Sequence, residues 1–248
     1  FNATGWLFVG PGNYILGNVD PNYQLFATLW ISLYRGIGRA NLAIENISKM
    51  PASAISDQRK NQLLAQAYFL RGLFYSHIAI YFQNAPLILK VQALEESYVA
   101  KNTYQEISDQ VVKDLTFAAT NLPNSYPAAQ YGYATRGAAL GILARSHLYN
   151  KNYQGVLDAT ATIMTLGYTL DSDYARLFTE AGESSREIIF SVRFNQDVSA
   201  NNELFSATFA TIPRVESAPM KNLVDDYLCT DGRPITTSPL YNAAFRRN

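Results

Sequence analysis

The sequence has 248 residues, of which 48% are hydrophobic and 16% charged, and its 20 basic and 20 acidic side chains cancel. This size and composition are typical of a folded protein with a large core. The balanced charge argues against nucleic acid or an anionic membrane surface as the main partner. The single cysteine, Cys229, excludes an internal disulfide, and no apolar run reaches the roughly 18 residues of a membrane-spanning helix.

The first 23 residues predict an aromatic loop region. They combine Gly, Asn and Pro with aromatic side chains that lack helical spacing. Flat rings stack on the apolar C–H faces of sugars and also make contact surfaces for peptides. We therefore expect the ring-bearing residues of this loop to bind ligand, although packing of the rings onto the helices is the alternative. The candidate ligand-binding residues are Trp6, Phe8, Tyr14 and Tyr23.

Apolar spacing and helix caps predict helices over most of the next 140 or so residues. Ser56 is a good N-cap, Thr103 and Glu106 form a capping-box pattern, and Gly167 is typical of a helix C-terminus. The short links predict antiparallel hairpins, and the segment 143–159 has the spacing of a degenerate tetratricopeptide repeat. The predicted helices cover residues 24–50, 56–82, 103–122, 135–149 and 153–166.

The last part of the chain has a different residue pattern. The run 187–192 is the best strand candidate, and from Asn195 onwards the sequence is loop-like. The predicted fold is therefore all-α and mainly helical, with tetratricopeptide-like helical hairpins, a loop-rich ligand-binding region and minor β structure. The predicted domains are the aromatic loop region 1–23, a helical scaffold 24–182 and the start of a loop-rich binding region 183–248.

Catalytic and metal-binding motifs are missing from the sequence. His77 and His147 are too few to build a zinc site with one cysteine, so we expect no metal and no cofactor. The Gly36–Gly38 stretch lies inside a periodic helix, which favours close helix packing over a dinucleotide loop. Asp171 and Asp173 are predicted to cap a turn, because the other ligands of a calcium loop are missing.

Arg71 is unusual because it falls on the apolar stripe of its helix. A charge at such a position needs a partner or a route to water. We predict a buried ion pair, with Asp114 as the candidate partner, or a hydrogen bond to a neighbouring turn; binding of an anionic ligand is the alternative. Asn41, also on an inner helix face, is predicted to link backbone groups in the core.

The order of several motifs resembles that of the SusD/RagB family. The stretch from Trp30 to Asn41 is similar to the family's W-x3-Y helix, and residues 65–72 followed by 81–87 resemble its A-x-A-x-F-L-R-A helix and F-G-D-x-P-L end. Gln83 replaces the usual glycine of that end and Gly72 the usual alanine of that helix. Further matches follow in the family's order at residues 114–123, 135–153, 167–178, 187–190 and 223–232.

The resemblance implies a surface lipoprotein of the outer membrane of a Gram-negative bacterium, and no enzyme. Such a protein binds a glycan or a peptide and delivers it to a SusC-like TonB-dependent transporter. Family members are about twice this length, which implies a signal peptide and lipid anchor before Phe1 and further binding residues after Asn248. A cytoplasmic tetratricopeptide adaptor that binds peptides is the main alternative, and a helical-barrel glycan hydrolase or lyase is a second one.

Overall fold

The computed structural model describes residues 24–193 and 225–241. Thr28–Arg193 forms one compact unit, and residues 225–241 belong to a second. The domain boundaries that the sequence suggests, after residues 23 and 182, stay predictions. No helix within the described ranges is long and apolar enough to cross a bilayer.

The described residues form an all-α fold. Each of the predicted helices is present, with its ends within one helical turn of the prediction. The α-helices are α1 (Gln24–Ser48), α2 (Asp57–Phe82), α3 (Tyr104–Asn121), α4 (Arg136–Tyr149) and α5 (Tyr153–Met164).

Local caps explain why the helix ends were predictable. The Ser56 hydroxyl accepts a hydrogen bond from the Arg59 amide at 3.3 Å. The Thr103 amide donates to the Glu106 carboxylate at 2.8 Å, and the Glu106 amide donates to the Thr103 hydroxyl at 3.3 Å. These bonds satisfy amides that the first turn of a helix leaves without an intrahelical partner.

The helices pack in chain order, as in tetratricopeptide hairpins. α2 packs against α3, α3 against α4, and α4 against α5. Phe69 and Ile78 of α2 are both fully buried. Because nine residues at about 100° each place these side chains on opposite sides of the helix, α2 is buried on more than the single stripe that its spacing indicates. It is the central helix of the unit.

Close approach of α1 to α2 depends on a glycine. A Cβ atom at Gly36 would lie 2.5 Å from the ring of Phe74, whereas a Cβ at Gly38 would meet nothing within 4 Å. The predicted role of these glycines in helix packing is therefore confirmed at Gly36. Nearer the start of α1, Trp30 packs edge-on against Phe82, with ring centroids 5.0 Å apart.

A buried polar network joins α1, α2 and α3. Arg71 Nε and Nη2 donate to the two carboxylate oxygens of Asp114 at 2.7 and 2.8 Å, and Nη1 donates to Asn41 Oδ1 at 3.0 Å. Asn41 Nδ2 donates to the Ile88 carbonyl at 2.9 Å, and the Tyr75 hydroxyl accepts from the Ile88 amide at 2.6 Å. The predicted ion pair and the predicted role of Asn41 are both confirmed. The network fixes the extended chain that follows α2.

The strand prediction for 187–192 is wrong. Within residues 24–193 and 225–241, the only β-type pairing is an isolated antiparallel bridge between Ala85 and Asn102. The 187–192 segment is irregular, and its Phe190 ring packs edge-on against Phe69 of α2, with centroids 5.1 Å apart. An apolar run gains free energy from burial alone, so packing against helices takes the place of a sheet partner here.

Candidate functional site

The ligand-binding residues predicted from sequence, Trp6, Phe8, Tyr14 and Tyr23, lie outside the described residues. Their role therefore stays a prediction. The described part of the chain offers a different candidate, a surface cleft in the Thr28–Arg193 unit.

Three segments line this cleft. They are the link between α3 and α4 at residues 124–135, the turn 166–168 after α5, and the segment 184–191. The cleft has a volume of about 240 Å³, slightly below the roughly 300–1,000 Å³ of typical small-molecule pockets. We call it the tyrosine cleft after its prominent rings. Its aromatic lining residues are Tyr126, Tyr131, Tyr133, Tyr168 and Phe190.

Tyr126 and Tyr133 form a pair of contacting rings in the cleft. Their centroids lie 5.6 Å apart with the planes tilted by 43°. Tyr133 is 57% exposed, whereas Tyr126 is half-buried. Burial raises the pKa of the Tyr126 hydroxyl above its usual value, partly offset by a hydrogen bond from Gln66. The Tyr133 ring is therefore the accessible apolar surface of this pair.

Gln66 of α2 holds the link that carries these rings. Its Nε2 donates to the Tyr126 hydroxyl and to the Ala134 carbonyl, both at 2.8 Å. Its Oε1 accepts from the Ala134 amide at 3.1 Å. One side chain of the central helix thus satisfies both backbone groups of Ala134 and orients Tyr126.

Arg193 and Glu183 hold the Tyr131 side chain in place. The Arg193 guanidinium lies 4.9 Å from the centroid of the Tyr131 ring and pairs with the Glu183 carboxylate at 2.7 Å. The Tyr131 hydroxyl donates to the Glu183 carbonyl at 3.1 Å. Because Arg193 covers one ring face, Tyr131 has less free surface for a ligand than Tyr133.

Tyr168 braces the cleft against the start of α4. Its hydroxyl lies 3.2 Å from the Thr135 hydroxyl. A Cβ atom at Gly137 would lie only 2.2 Å from the same hydroxyl, so the ring can sit here only beside a glycine. These contacts fix the turn that follows α5 relative to the α3–α4 link.

Asp171 holds the third segment in place. Its Oδ2 accepts from the Ser185 hydroxyl at 2.7 Å, and its amide donates to Glu187 Oε2 at 2.9 Å. The bond from Ser185, with further bonds from Asp173 and Arg176, keeps the pKa of Asp171 below its usual value. Asp173 Oδ1 in turn accepts from the Ala175 amide at 3.0 Å. The predicted turn-capping role of this acidic pair is confirmed.

The chemistry of the lining suits reversible binding of a polar ligand. Several lining side chains form no hydrogen bond within the described part of the chain: those of Asn124, Ser125, Gln130, Ser184 and Ser191. They are amides and hydroxyls, which both donate and accept. Among the described residues, the cleft lining contains no carboxylate and no histidine. The cleft thus combines an exposed ring with groups able to bind hydroxyls.

Comparison with known proteins identifies the family. The SusD-like family model described as "Starch-binding associating with outer membrane" matches residues 17–149, more than half of the chain. The chain belongs to the SusD-like family. It is 31% identical over 193 residues to SusD-like protein P25 of Formosa agariphila, covering 75% of this chain but 36% of that relative.

Solved structures of SusD-like proteins share the fold. A SusD-like carbohydrate binding protein from Bacteroides fragilis superposes with a TM-score of 0.80 at 27% identity, over 91% of this chain and 44% of that one. A laminarin binding SusD-like protein gives a TM-score of 0.62 at 25% identity, over 66% of this chain and 36% of that one. The chain therefore spans less than half the length of these SusD-like relatives.

Sequence reasoning missed the tyrosine cleft of this SusD-like chain. Tyr126, Tyr131 and Tyr133 fall in a link with no helical periodicity. The same criterion, aromatic residues in a non-periodic segment, had selected Trp6 and its neighbours in the first 23 residues. Applied to the α3–α4 link, it would have selected these tyrosines. The contribution of the 184–191 segment to the cleft could not be predicted from the sequence, because it depends on contacts between residues far apart along the chain.

Proposed function

We propose that this chain is part of a surface protein of the outer membrane of a Gram-negative bacterium. The protein captures an oligosaccharide and delivers it to a SusC-like TonB-dependent transporter, and a lipid anchor outside this chain attaches it to the membrane. Membership of the SusD-like family supports this proposal, as do the carbohydrate ligands named for two relatives of known structure. The observation that carries it is the exposed Tyr133 ring beside amides and hydroxyls that lack partners in the described residues.

The cleft has the groups that sugar binding requires. A pyranose stacks its apolar face on an aromatic ring, while side chains bind its hydroxyls. If each ring covers on the order of 100 Å² of apolar surface, burial contributes about 2.5 kcal/mol per ring before the costs of association. A site with two or three such rings would have dissociation constants between about millimolar and micromolar, which suits capture followed by release. In this cleft Tyr133 is the accessible ring, so we expect affinity at the weak end of that range.

Binding is favoured over hydrolysis or elimination at this site. A glycan hydrolase needs a pair of carboxyl groups, and none of the described residues that line the cleft carries one. A tyrosine base needs a lowered pKa to accept a proton near neutral pH, whereas burial raises the pKa of Tyr126. We therefore propose that the protein is not an enzyme.

The first 23 residues enter the proposal as a second contact region. We propose that Trp6, Phe8, Tyr14 and Tyr23 also bind ligand, for the reason given above: their rings lack helical spacing. Unchanged affinity after Trp6→Ala and Tyr14→Ala would remove this part of the proposal and leave the cleft unaffected.

A ring-deletion experiment tests sugar binding at the cleft. Isothermal titration with starch and laminarin oligosaccharides, and with mixed peptides, is performed on the wild type, Tyr133→Ala and Tyr98→Ala. Tyr98 is a matched control because it is 100% exposed and lies outside the cleft. We expect Tyr133→Ala to weaken oligosaccharide binding about tenfold or more, and Tyr98→Ala to leave it unchanged. Equal affinities of the three proteins would refute the proposed site, and binding of peptides alone would favour the peptide alternative.

The transport partner has a separate test. Affinity purification of the tagged protein from detergent-solubilised outer membranes of its host is expected to recover a TonB-dependent barrel. Recovery of the protein without such a barrel would contradict the delivery step, even if the protein binds oligosaccharides.

A further inference from the structure

We propose that the tyrosine cleft selects oligosaccharides bearing an anionic group, either a carboxylate or a sulfate ester, and that Arg186 binds this group. The inference rests on the proposed function, because it concerns the ligand class of the same cleft. It follows from the charges of the lining rather than from its rings.

Arg186 gives the cleft lining a positive charge. It lies in the 184–191 segment, lines the cleft and is exposed. Its carbonyl accepts a hydrogen bond from the Thr169 amide at 3.4 Å, which connects its backbone to the turn after α5. Its guanidinium forms no ion pair or hydrogen bond within the described ranges. No other charged residue of the described part of the chain lines the cleft.

Two other arginines close to this segment, Arg176 and Arg193, already have partners. Arg193 pairs with the Glu183 carboxylate and covers the Tyr131 ring. Arg176 pairs with Asp171 and donates to the Ala181 carbonyl at 2.9 Å. Arg136 follows the lining residue Thr135 and has a buried Nε without a partner in the described residues, but it does not line the cleft itself. Arg186 is thus the arginine of the cleft lining, and its guanidinium is free to bind a ligand there.

The geometry of a guanidinium matches the proposed anions. Its planar fork donates two parallel N–H bonds to a carboxylate or to a sulfate ester. Tyr133 and Arg186 line the same cleft, so a sugar ring stacked on Tyr133 can present such a substituent to Arg186 while its hydroxyls bind the amides and hydroxyls of the lining. Because Arg186 is exposed, solvent screens the pair, and we expect an anionic sugar to bind about two- to fivefold more tightly than its neutral counterpart.

Matched pairs of sugars test this inference. Laminarin and starch oligosaccharides are compared with derivatives of the same oligosaccharides in which primary hydroxyls are oxidised to carboxylates or esterified with sulfate. Each is titrated against the wild type, Arg186→Gln and Arg39→Gln. Arg39 is a matched control because it is an exposed arginine of α1 outside the cleft, so its loss changes the net charge equally.

We expect the wild type and Arg39→Gln to prefer the anionic forms, with a preference that decreases as salt is added. Arg186→Gln should bind neutral and anionic forms equally. The carboxylate and sulfate arms identify which anion is preferred. Equal binding of neutral and anionic forms by the wild type, or a preference that survives in Arg186→Gln, would overturn the inference and leave the proposed function standing. Failure of every form to bind would overturn both.

Discussion

Replacement of Arg71 by methionine is expected to destabilise the helical unit severely. The Arg71 and Asp114 side chains are only 5% and 1% exposed, and two parallel hydrogen bonds join them. Without the guanidinium, the Asp114 carboxylate stays buried and keeps the Gln110 amide, at 2.7 Å, as its remaining partner from this network. Asn41 Oδ1 and the Leu89 carbonyl each lose a donor as well.

The expected cost can be stated in energy and in temperature. Removal of one partner from a buried ion pair typically costs about 3–5 kcal/mol, because the charge left behind is neither solvated nor paired. For a unit of this size, 1 kcal/mol shifts the melting temperature by about 2–4 °C. Arg71→Met should therefore lower the melting temperature by about 6–20 °C. Since native proteins are stable by only about 5–15 kcal/mol, this is a large fraction of the total.

Urea unfolding followed by circular dichroism measures this effect, and a double-mutant cycle tests its cause. Asp114→Leu alone should also be strongly destabilising, because it leaves the Arg71 charge buried. The double replacement Arg71→Met with Asp114→Leu removes both charges, so we expect it to be less destabilising than the sum of the single changes by at least about 2 kcal/mol. A double mutant whose loss equals that sum, or an Arg71→Met protein that melts within about 2 °C of the wild type, would refute the reasoning.

Two further predictions concern helix packing and pH. Gly38→Ala should stabilise the protein by about 0.5–1 kcal/mol through helix propensity. Gly36→Ala should destabilise it by about 1–3 kcal/mol, because the new Cβ would clash with Phe74. Thermal melts in which the two variants are equally stable would contradict this prediction. The hydrogen bond from the Thr103 amide keeps the pKa of Glu106 below its usual value. The ionised form of Glu106 therefore stabilises the fold above about pH 4.5, and this stabilisation is lost as the pH falls through the lowered pKa. Melting temperatures of the wild type and Glu106→Gln should therefore converge in acid, and a difference that stays constant with pH would contradict the capping role.

The helices were predictable because their determinants are local. Ser56 and Thr103 each cap a helix through a residue three positions away, and apolar spacing predicts the helix between one cap and the next stop. The Arg71–Asp114 pair was also predictable, since a charge on an apolar stripe has few favourable solutions. The 187–192 segment was not, because an apolar run of that length is compatible with a strand or with irregular chain packed on helices. Its Phe190 contacts Phe69 of α2, and nothing local in the sequence encodes that contact.

The position of the tyrosine cleft depends on α2, the helix that sequence alone suggests is only a scaffold. Gln66 lies on α2 five residues before Arg71, within the motif that resembles the family's A-x-A-x-F-L-R-A helix. Arg71 helps to fix the chain after α2 by way of Asn41, whereas Gln66 fixes Tyr126 and Ala134 in the α3–α4 link. The same helix thus sets the core and orients the cleft rings. The hydrogen bonds of Gln66 join residues that are 60 and 68 positions apart in sequence. The motif around Gln66 therefore indicates the fold, but its connection to the cleft becomes visible only in the folded structure.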